Sequence, residues 1–478
     1  MINQIKIITD RDCFRNDIGD EIRAFFFGMK EYKGEGEYYT FEAILDDKTD
    51  IVKVDIRTDL NNSIVEKSYE FQKEFDGNSL EYKSFLKYCI KASCYKILKK
   101  ICNKALPYGS LTGIRPTKLY RKYDDRGFDA DSIFAEKYSV SKEKIKLIGD
   151  IVKLQKPFVN NREDNVDIYV NIPFCPSRCV YCSFVTSDIT KQRKYVKNYI
   201  KCLKDEIIIT KKLILENNYR VRAIYVGGGT PSSLEVADLK SIIELLDFDA
   251  DEFTVEAGRP DTITESLLEM LSLHGVDRIS VNPQSFNQKT LDCLGRKHTV
   301  EQIFTSYKLA REFDFVINMD LIASLPNETC EDFLYSVKQA IALEPDNITV
   351  HALALKKGSE LTVSNYENTQ DKLAAKMISS SAELLKQAGY LPYYMYRQKN
   401  TAGNLENTGY TKNGGSCCLY NIDIMEENTS IIANGAGAIS KRLFKDEDRL
   451  ERLANMKNAK EYIERFDEHI QKQRSFWS

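Results

Sequence analysis

The sequence predicts an α/β protein built on an open, partial (β/α)6 barrel, with a small α+β domain ahead of it and an α+β extension after it. Three observations lead there. Strand-like apolar runs and helical patterns alternate six times between Asp167 and Leu353, the pattern of a parallel sheet with crossover helices. The 478 residues exceed one average domain, so the alternating part does not account for the whole chain. Residue types suited to chemistry fall at the ends of the strand runs, where barrels gather their reactive groups. The expected divisions are 1–155 for the N-terminal domain and connector, 166–360 for the barrel and 361–478 for a substrate-covering domain.

A hydrophobic share of 42% and a charged share of 29% describe an ordinary globular protein. Net charge −3 and a pI near 6.0 carry no whole-chain signal for nucleic acid. No apolar run is long enough to span a bilayer, and the opening Met1-Ile-Asn-Gln-Ile-Lys does not read as a signal peptide. Twelve cysteines without export signals suit a reducing cytoplasm. Most of those outside the central motif (Cys13, Cys89, Cys94, Cys102, Cys202, Cys293, Cys330) read as small core residues. Four histidines make a dedicated imidazole metal site an unfavoured reading.

In chain order, strands are expected near Ile5–Ile8, Tyr38–Ile44 and Ile51–Ile56. A helix follows, carrying Tyr82, Phe85, Leu86, Cys89, Ile90, Ile97, Leu98 and Ile101 at helical spacing. The stretch Leu106–Lys118 holds turn-forming Gly and Pro and closes on Arg115 and Lys118; it reads as a structural connector or as cations facing an acidic ligand. A helical pair is expected in 129–155 and a linker from Pro157 to Asn165. The barrel strands are then Asp167–Ile172, Ala223–Val226, Phe253–Ala257, Arg278–Asn282, Phe315–Ile322 and Asn347–Leu353. Beyond them, an amphipathic helix is expected from about Gln370 to Tyr390. Two segments dense in Tyr, Asn and Arg follow (Tyr393–Asn400, Gly403–Tyr410) and suggest a surface for a polar, flat ligand. A charged, solvated helix is expected around Asp446–Phe466.

The centre of the chain is Asp167-Ile-Tyr-Val-Asn-Ile-Pro-Phe-Cys-Pro-Ser-Arg-Cys-Val-Tyr-Cys182. An apolar strand is ended by Pro173, and the loop after it places Cys175, Cys179 and Cys182 at C-x3-C-x2-C spacing. Three thiolates so spaced can wrap one 4Fe–4S cubane and leave the fourth iron open to a small molecule. The alternatives are zinc, which in structural sites takes four ligands, or three buried structural cysteines; no fourth Cys or His lies close in sequence.

This loop resembles the signature of radical S-adenosylmethionine (SAM) enzymes. Tyr169-Val-Asn-Ile-Pro-Phe-Cys is similar in particular to the oxygen-independent coproporphyrinogen III oxidases, and the connector at Leu106–Lys118 resembles the HemZ-type branch. The resemblance covers about Asp167 to Ser440. It implies that the methionine end of SAM chelates the open iron, and that an electron from the cluster breaks a C–S bond to give a 5′-deoxyadenosyl radical. One SAM, or two, would bind. Tyr169 and Tyr181 are then SAM contacts. Gly227-Gly-Gly-Thr-Pro231 matches the motif holding the methionine amino group, through Gly228, Gly229 and Thr230; consecutive glycines also let a backbone approach a ligand closely.

By the same resemblance Glu256 contacts SAM, as a carboxylate able to accept from ribose hydroxyls or an ammonium. Gln284 takes the family's glutamine position, although Asn282-Pro283 replaces the usual Gly-Val before it. Arg296 matches an arginine able to hold a carboxylate by a forked pair of hydrogen bonds. Asp320 corresponds to an aspartate near a second SAM, Ala354 and Ile439 to positions lining SAM. His351 reads either as an acid or base or as a satisfied core histidine.

Two positions depart from the oxidase pattern. Phe184 stands where a fourth cysteine is usual, and Asn171 where a histidine is usual. The Cys-x-Phe form is similar to the family's haem chaperones, whose His-Asn-x-x-Tyr-Trp segment is here Tyr420-Asn421-Ile-Asp-Ile-Met425. The activity the resemblance implies is oxidative decarboxylation of coproporphyrinogen III, with a reduced flavodoxin or ferredoxin as electron donor and no nucleic-acid partner. A haem-binding chaperone and a radical haem-modifying or haem-degrading enzyme are the alternatives. A tRNA-modifying enzyme would require a basic RNA-binding domain.

Overall fold

The computed structural model describes residues 2–73, 80–113, 115–159, 162–182, 186–354, 359–363, 371–398, 401–447 and 449–477. The chain divides into two compact units, Met1–Gly149 with Arg397–Asn404, and Asp150–Tyr396 with Leu405–Ser478. No helix among the described residues is long and apolar enough to cross a membrane.

The first unit carries strands β1 (Gln4–Thr9), β2 (Lys30–Glu31), β3 (Tyr39–Asp46), β4 (Ile51–Thr58) and β5 (Val65–Gln72) in the order β2-β1-β3-β4-β5. Alternation decides which way β4 faces, with Val52, Val54 and Ile56 inward. They meet Ile18 and Ile22 of the helix Arg15–Phe25, and Phe85, Leu86, Ile90 and Leu98 of the helix Leu80–Cys102, in one core. Glu21 is wholly buried there beside Lys91, and burial pushes its carboxyl up to about 8.

The second unit is organised on one sheet. Its strands are β6 (Asn165–Ile172), β9 (Arg220–Gly228), β10 (Glu252–Gly258), β11 (Arg278–Val281), β12 (Val316–Ala323), β13 (Asn347–Ala352), β14 (Tyr390–Arg397), β15 (Glu406–Lys412), β16 (Ser430–Asn434), β17 (Ile439–Phe444) and β18 (Arg449–Ala454). A two-stranded ribbon, β7 (Phe174–Cys175) and β8 (Ser187–Asp188), stands apart. The sheet order is β14-β15-β13-β12-β11-β10-β9-β6-β16-β17-β18. All six expected barrel strands are present and pair in parallel. A seventh parallel strand, β16, joins beside β6 from the C-terminal part of the chain. In β6, Val166, Ile168, Val170 and Ile172 are fully buried on one face, while Asp167, Tyr169 and Asn171 alternate with them on the other.

Several sequence expectations need correction. The charged stretch 446–466 is not one helix: β18 and the helix Ala459–Glu464 divide it, and the last helix runs Phe466–Trp477. The Tyr-rich segments are not a surface, because Tyr393, Tyr394 and Tyr410 are buried in β14 and β15. A tyrosine is a large apolar body, and its hydroxyl can be satisfied inside, as Tyr390 is by the Pro345 carbonyl at 2.6 Å. Residues 399–400 lie outside the described residues. Cys13 and Cys293 are exposed rather than core.

Candidate functional site

The motif residues converge on the rim formed by the C-terminal ends of the parallel strands. Pro173 ends β6, and Cys175 follows in the β7–β8 ribbon, opposite Asp188. The glycine run at the end of β9 is stitched to this loop: the Gly229 amide donates to the Ile172 carbonyl and the Thr230 amide to the Phe174 carbonyl, each at 2.8 Å. A Cβ on Gly229 would lie 2.5 Å from the Phe174 oxygen and 2.9 Å from Cys175 Sγ. Gly228 has φ +111°, and a Cβ there would lie 2.1 Å from Asn171 Oδ1. Only glycine fits either position. The Thr230 hydroxyl lies 3.6 Å from Cys175 Sγ.

The rest of the cysteine loop is held from the far side of the rim. The Val180 amide donates to the Leu294 carbonyl at 3.1 Å, and the Ser177 hydroxyl to the Gly295 carbonyl at 3.2 Å. Arg259 donates to Ser177 Oγ at 2.8 Å while paired with Asp261. Arg296, which the forked-carboxylate expectation placed against a ligand, spends its terminal nitrogens on the Tyr181 hydroxyl (3.2 Å) and the Asn282 carbonyl (2.8 Å). It fastens the loop to the exit of β11. Cys179 is buried and Cys175 and Cys182 are half-buried; none of the three is in a disulfide, and the Cys182 amide donates to the Cys179 carbonyl at 3.0 Å.

Inside the barrel, Tyr169 of β6 stands opposite Tyr225 of β9, their rings stacked at 6.2 Å. Tyr420, from the helix Leu419–Glu426, stacks on both, at 4.5 Å from Tyr225 and 5.9 Å from Tyr169. The Tyr225 hydroxyl donates to Glu256 at 2.5 Å. Burial pushes the Glu256 carboxyl up to about 7, with Tyr225 opposing the rise. Across the interior, Asp320 is 3.6 Å from His351 and accepts from Asn318 at 2.8 Å; these partners outweigh burial and keep its carboxyl below the usual range. The other ring nitrogen of His351 lies 3.3 Å from the Tyr396 hydroxyl. His351 is therefore a partnered, partly exposed side chain rather than a core histidine.

Gln284 has φ +64°, a left-handed conformation forced where its amide bonds the Asp320 carbonyl (2.9 Å) and its own carbonyl accepts from Ile322 (3.1 Å). Its side-chain oxygen is buried with no hydrogen-bond partner. An unmet buried acceptor costs about 1–3 kcal/mol, so the position suits a bound group that brings a donor. That orphan oxygen, the Gly229 cradle against Cys175 and three thiols outside any disulfide fit a cluster with a small polar cofactor. Among the described residues no three thiol, imidazole or carboxylate side chains converge on a point that would hold a single ion; a cubane asks for less convergence, since its thiolates bind different irons. Ala354 lies two residues past β13 and is half-buried. Ile439 opens β17 and is 47% exposed. Phe184 lies outside the described residues.

Three positions in this neighbourhood make contacts that no local pattern predicted. Asn171 accepts from Tyr169 at 3.0 Å and donates to the Ala436 carbonyl, coupling β6 to the Gly435–Gly437 turn. Tyr199 accepts from the Ala436 amide at 3.1 Å and donates to the Asn171 carbonyl at 2.7 Å. Tyr420 arrives from almost two hundred positions downstream of Tyr225.

The Radical SAM superfamily description matches residues 169–340. The oxygen-independent coproporphyrinogen-III oxidase-like protein HemZ of Bacillus subtilis is 40% identical over 377 residues, 76% of this chain and 75% of its own length. The haem chaperone HemW of the same organism is 33% identical over 39% of this chain and 50% of its own. The solved coproporphyrinogen III oxidase HemN of Escherichia coli superposes with a TM-score of 0.52 at 23% identity, covering 67% of this chain and 73% of that one, a likeness of fold.

Proposed function

Because the chain belongs to the radical SAM family of HemZ-like, oxygen-independent coproporphyrinogen-III oxidase-like proteins, we propose that it oxidatively decarboxylates coproporphyrinogen III to protoporphyrinogen IX. The observation that carries this reading is the 40% identity to HemZ across three quarters of both chains, joined to a pinned three-cysteine loop against a glycine cradle. Membership implies a 4Fe–4S cluster and SAM, which when bound supply a one-electron oxidant for an unactivated C–H bond. The net change is loss of one hydrogen and one CO2 from each of two ring propionates, leaving vinyl groups, with the remaining electron of each round passing to an external acceptor.

The chain's own part is to bind, orient and exclude water. Cys175, Cys179 and Cys182 hold the cluster. Gly228, Gly229 and Thr230 offer main-chain and hydroxyl groups to the methionine end of SAM, and Glu256, Gln284 and Asp320 accept from its amino and sugar groups. Tyr169, Tyr181, Ala354 and Ile439 line it, and Arg296 acts through Tyr181. The Tyr169–Tyr225–Tyr420 stack gives the interior a flat aromatic wall suited to a planar ligand. A reduced flavodoxin or ferredoxin supplies electrons, and all twelve cysteines being free thiols suits a reducing compartment such as the cytoplasm.

The test is anaerobic reconstitution with SAM, a strong reductant and coproporphyrinogen III, with chromatographic separation of the porphyrins. Mono-vinyl and di-vinyl products support the reading. SAM cleavage to 5′-deoxyadenosine with an unchanged porphyrin would overturn the substrate, and no cleavage would overturn the radical mechanism. The likeness to HemW favours a second reading, haem binding without turnover; stoichiometric haem uptake together with inert coproporphyrinogen would select it.

A further inference from the structure

The helix that follows the cysteine loop carries charge in a place where folding does not ask for it. From Ile189 to Lys204 the sequence has six cations (Lys191, Arg193, Lys194, Lys197, Lys201, Lys204) and no Asp or Glu, in a chain whose net charge is −3. The helix spans Arg193–Glu216 and has no acidic residue in its first turn. Its N-terminus is the positive end of the helix dipole, where anions stabilise and cations do not. Lys194, Lys197, Lys201 and Lys204 are three or four residues apart, so they share one face over about 15 Å. Like charges at that spacing cost a few tenths of a kcal/mol per pair. Local energetics therefore oppose this arrangement twice over.

Among the described residues no carboxylate forms an ion pair with these cations. Five of the six are exposed and Lys204 is half-exposed. Lys194 rests over the Tyr195 ring at 4.9 Å and Lys191 feels Asp188. Further along the helix Lys211 pairs with Asp247, and the exposed Lys212 stands on a stretch where Asp205, Glu206 and Glu216 return acidic side chains, so the run of cations with no acid between them lies at the end nearest the cysteines.

That end adjoins the candidate cluster. The Ile189 amide donates to the Cys175 carbonyl at 2.9 Å, and Asp188 pairs with Cys175 across the β7–β8 ribbon. The helix begins four residues later. An unpaired cationic face beside a one-electron centre has the features of an electron-transfer docking surface, which is small, wet and selected by charge more than by area.

We propose that the face formed by Arg193, Lys194, Lys197, Lys201 and Lys204 docks an acidic one-electron carrier protein that reduces the cluster at Cys175. This rests on the iron–sulfur reading above. One electron leaves the reduced carrier and enters the oxidised cluster; no bond is made or broken and no proton moves. The partner's carboxylates supply the countercharge the helix lacks.

The test uses the reconstituted full chain and reduced flavodoxin as probe. In the variant Lys194→Glu/Lys197→Glu/Lys201→Glu, flavodoxin Kd is expected to rise at least about tenfold at low ionic strength. The wild-type fall in affinity between about 50 and about 300 mM salt should vanish with it. The control Lys99→Glu/Lys100→Glu, exposed on the first unit, should bind as wild type does. Flavodoxin-driven SAM cleavage should fall with the affinity, while dithionite-driven cleavage keeps its wild-type rate. Unchanged flavodoxin Kd in the triple variant overturns the proposal, as does an equal loss in the control. Salt-sensitive RNA binding that the triple variant loses, with flavodoxin affinity intact, overturns it in favour of a nucleic-acid surface. If dithionite drives no cleavage in the wild type, the radical mechanism fails, and the binding measurements still decide the surface.

Discussion

Replacing Glu206 by Gln should destabilise the second unit by about 2 kcal/mol, although the two side chains have nearly the same shape. Glu206 lies fully buried on the helix Arg193–Glu216 and is the acceptor for four donors. One oxygen takes His469 at 2.6 Å and Asn455 at 3.3 Å; the other takes the Gly435 amide at 2.7 Å and the Tyr462 hydroxyl. A carboxamide offers one oxygen and one NH2; the Tyr462 hydroxyl or the His469 ring can turn to accept from that NH2, but in either orientation one donor-only group, the Gly435 amide or the Asn455 NH2, faces a donor. A buried group left unmet costs about 1–3 kcal/mol, which gives about 2 kcal/mol for one, a sizeable part of a total stability of about 5–15 kcal/mol. The assay is denaturation in urea followed by Trp477 fluorescence. Trp477 is the only tryptophan, is 1% exposed and lies on the same helix as His469. A loss below about 1 kcal/mol would refute the donor accounting. The consequence reaches the rim, because Gly435 and Ala436 are the turn that Asn171 and Tyr199 hold.

Other expectations follow from single contacts. Cys179→Ser should remove the iron–sulfur absorbance after reconstitution, and an intact spectrum would refute the ligand assignment. Gly229→Ala should sharply lower cluster incorporation because its Cβ meets Phe174 O and Cys175 Sγ, whereas Gly415→Ala, with nothing within 4 Å, should incorporate normally; equal incorporation would refute the cradle. Glu21 holds its proton up to about pH 8 when folded, against an unperturbed 4.5. The folded state thus binds more protons than the unfolded one between those values, and stability falls as pH rises through that window. Glu21→Gln should flatten the fall, read as the pH dependence of the urea midpoint between about pH 5 and pH 8; an unchanged slope would place the titrating group elsewhere. Asp167, buried with both oxygens unpartnered and pushed well up by burial, should tolerate Asn with stability equal or higher at pH 8; a marked loss would show that its charge is used.

Much of the architecture was written locally. A short apolar run placed β6, Pro173 marked its end, and the C-x3-C-x2-C spacing with the glycine run pointed to the loop and its close-packed backbone. Where local pattern is weak, it misled. The stretch 446–466 is charged on both faces because β18 is an edge strand with little to bury, and its composition imitates a solvated helix. The buried tyrosines of β14 and β15 looked like a ligand surface, since composition cannot tell a satisfied interior hydroxyl from an exposed one.

Local pattern therefore determined the barrel strands and the cysteine loop, for these depend on neighbours a few residues away. Tertiary structure alone decided what depends on residues hundreds of positions apart. It brought β16 beside β6 as a seventh parallel strand, set Tyr420 against Tyr225, joined His469 to Glu206, and turned Arg296 from a free fork into the fastening of Tyr181. Burial and pairing at that range are set by assembly of the whole sheet and the helices packed on it, and no local window of sequence contains both partners.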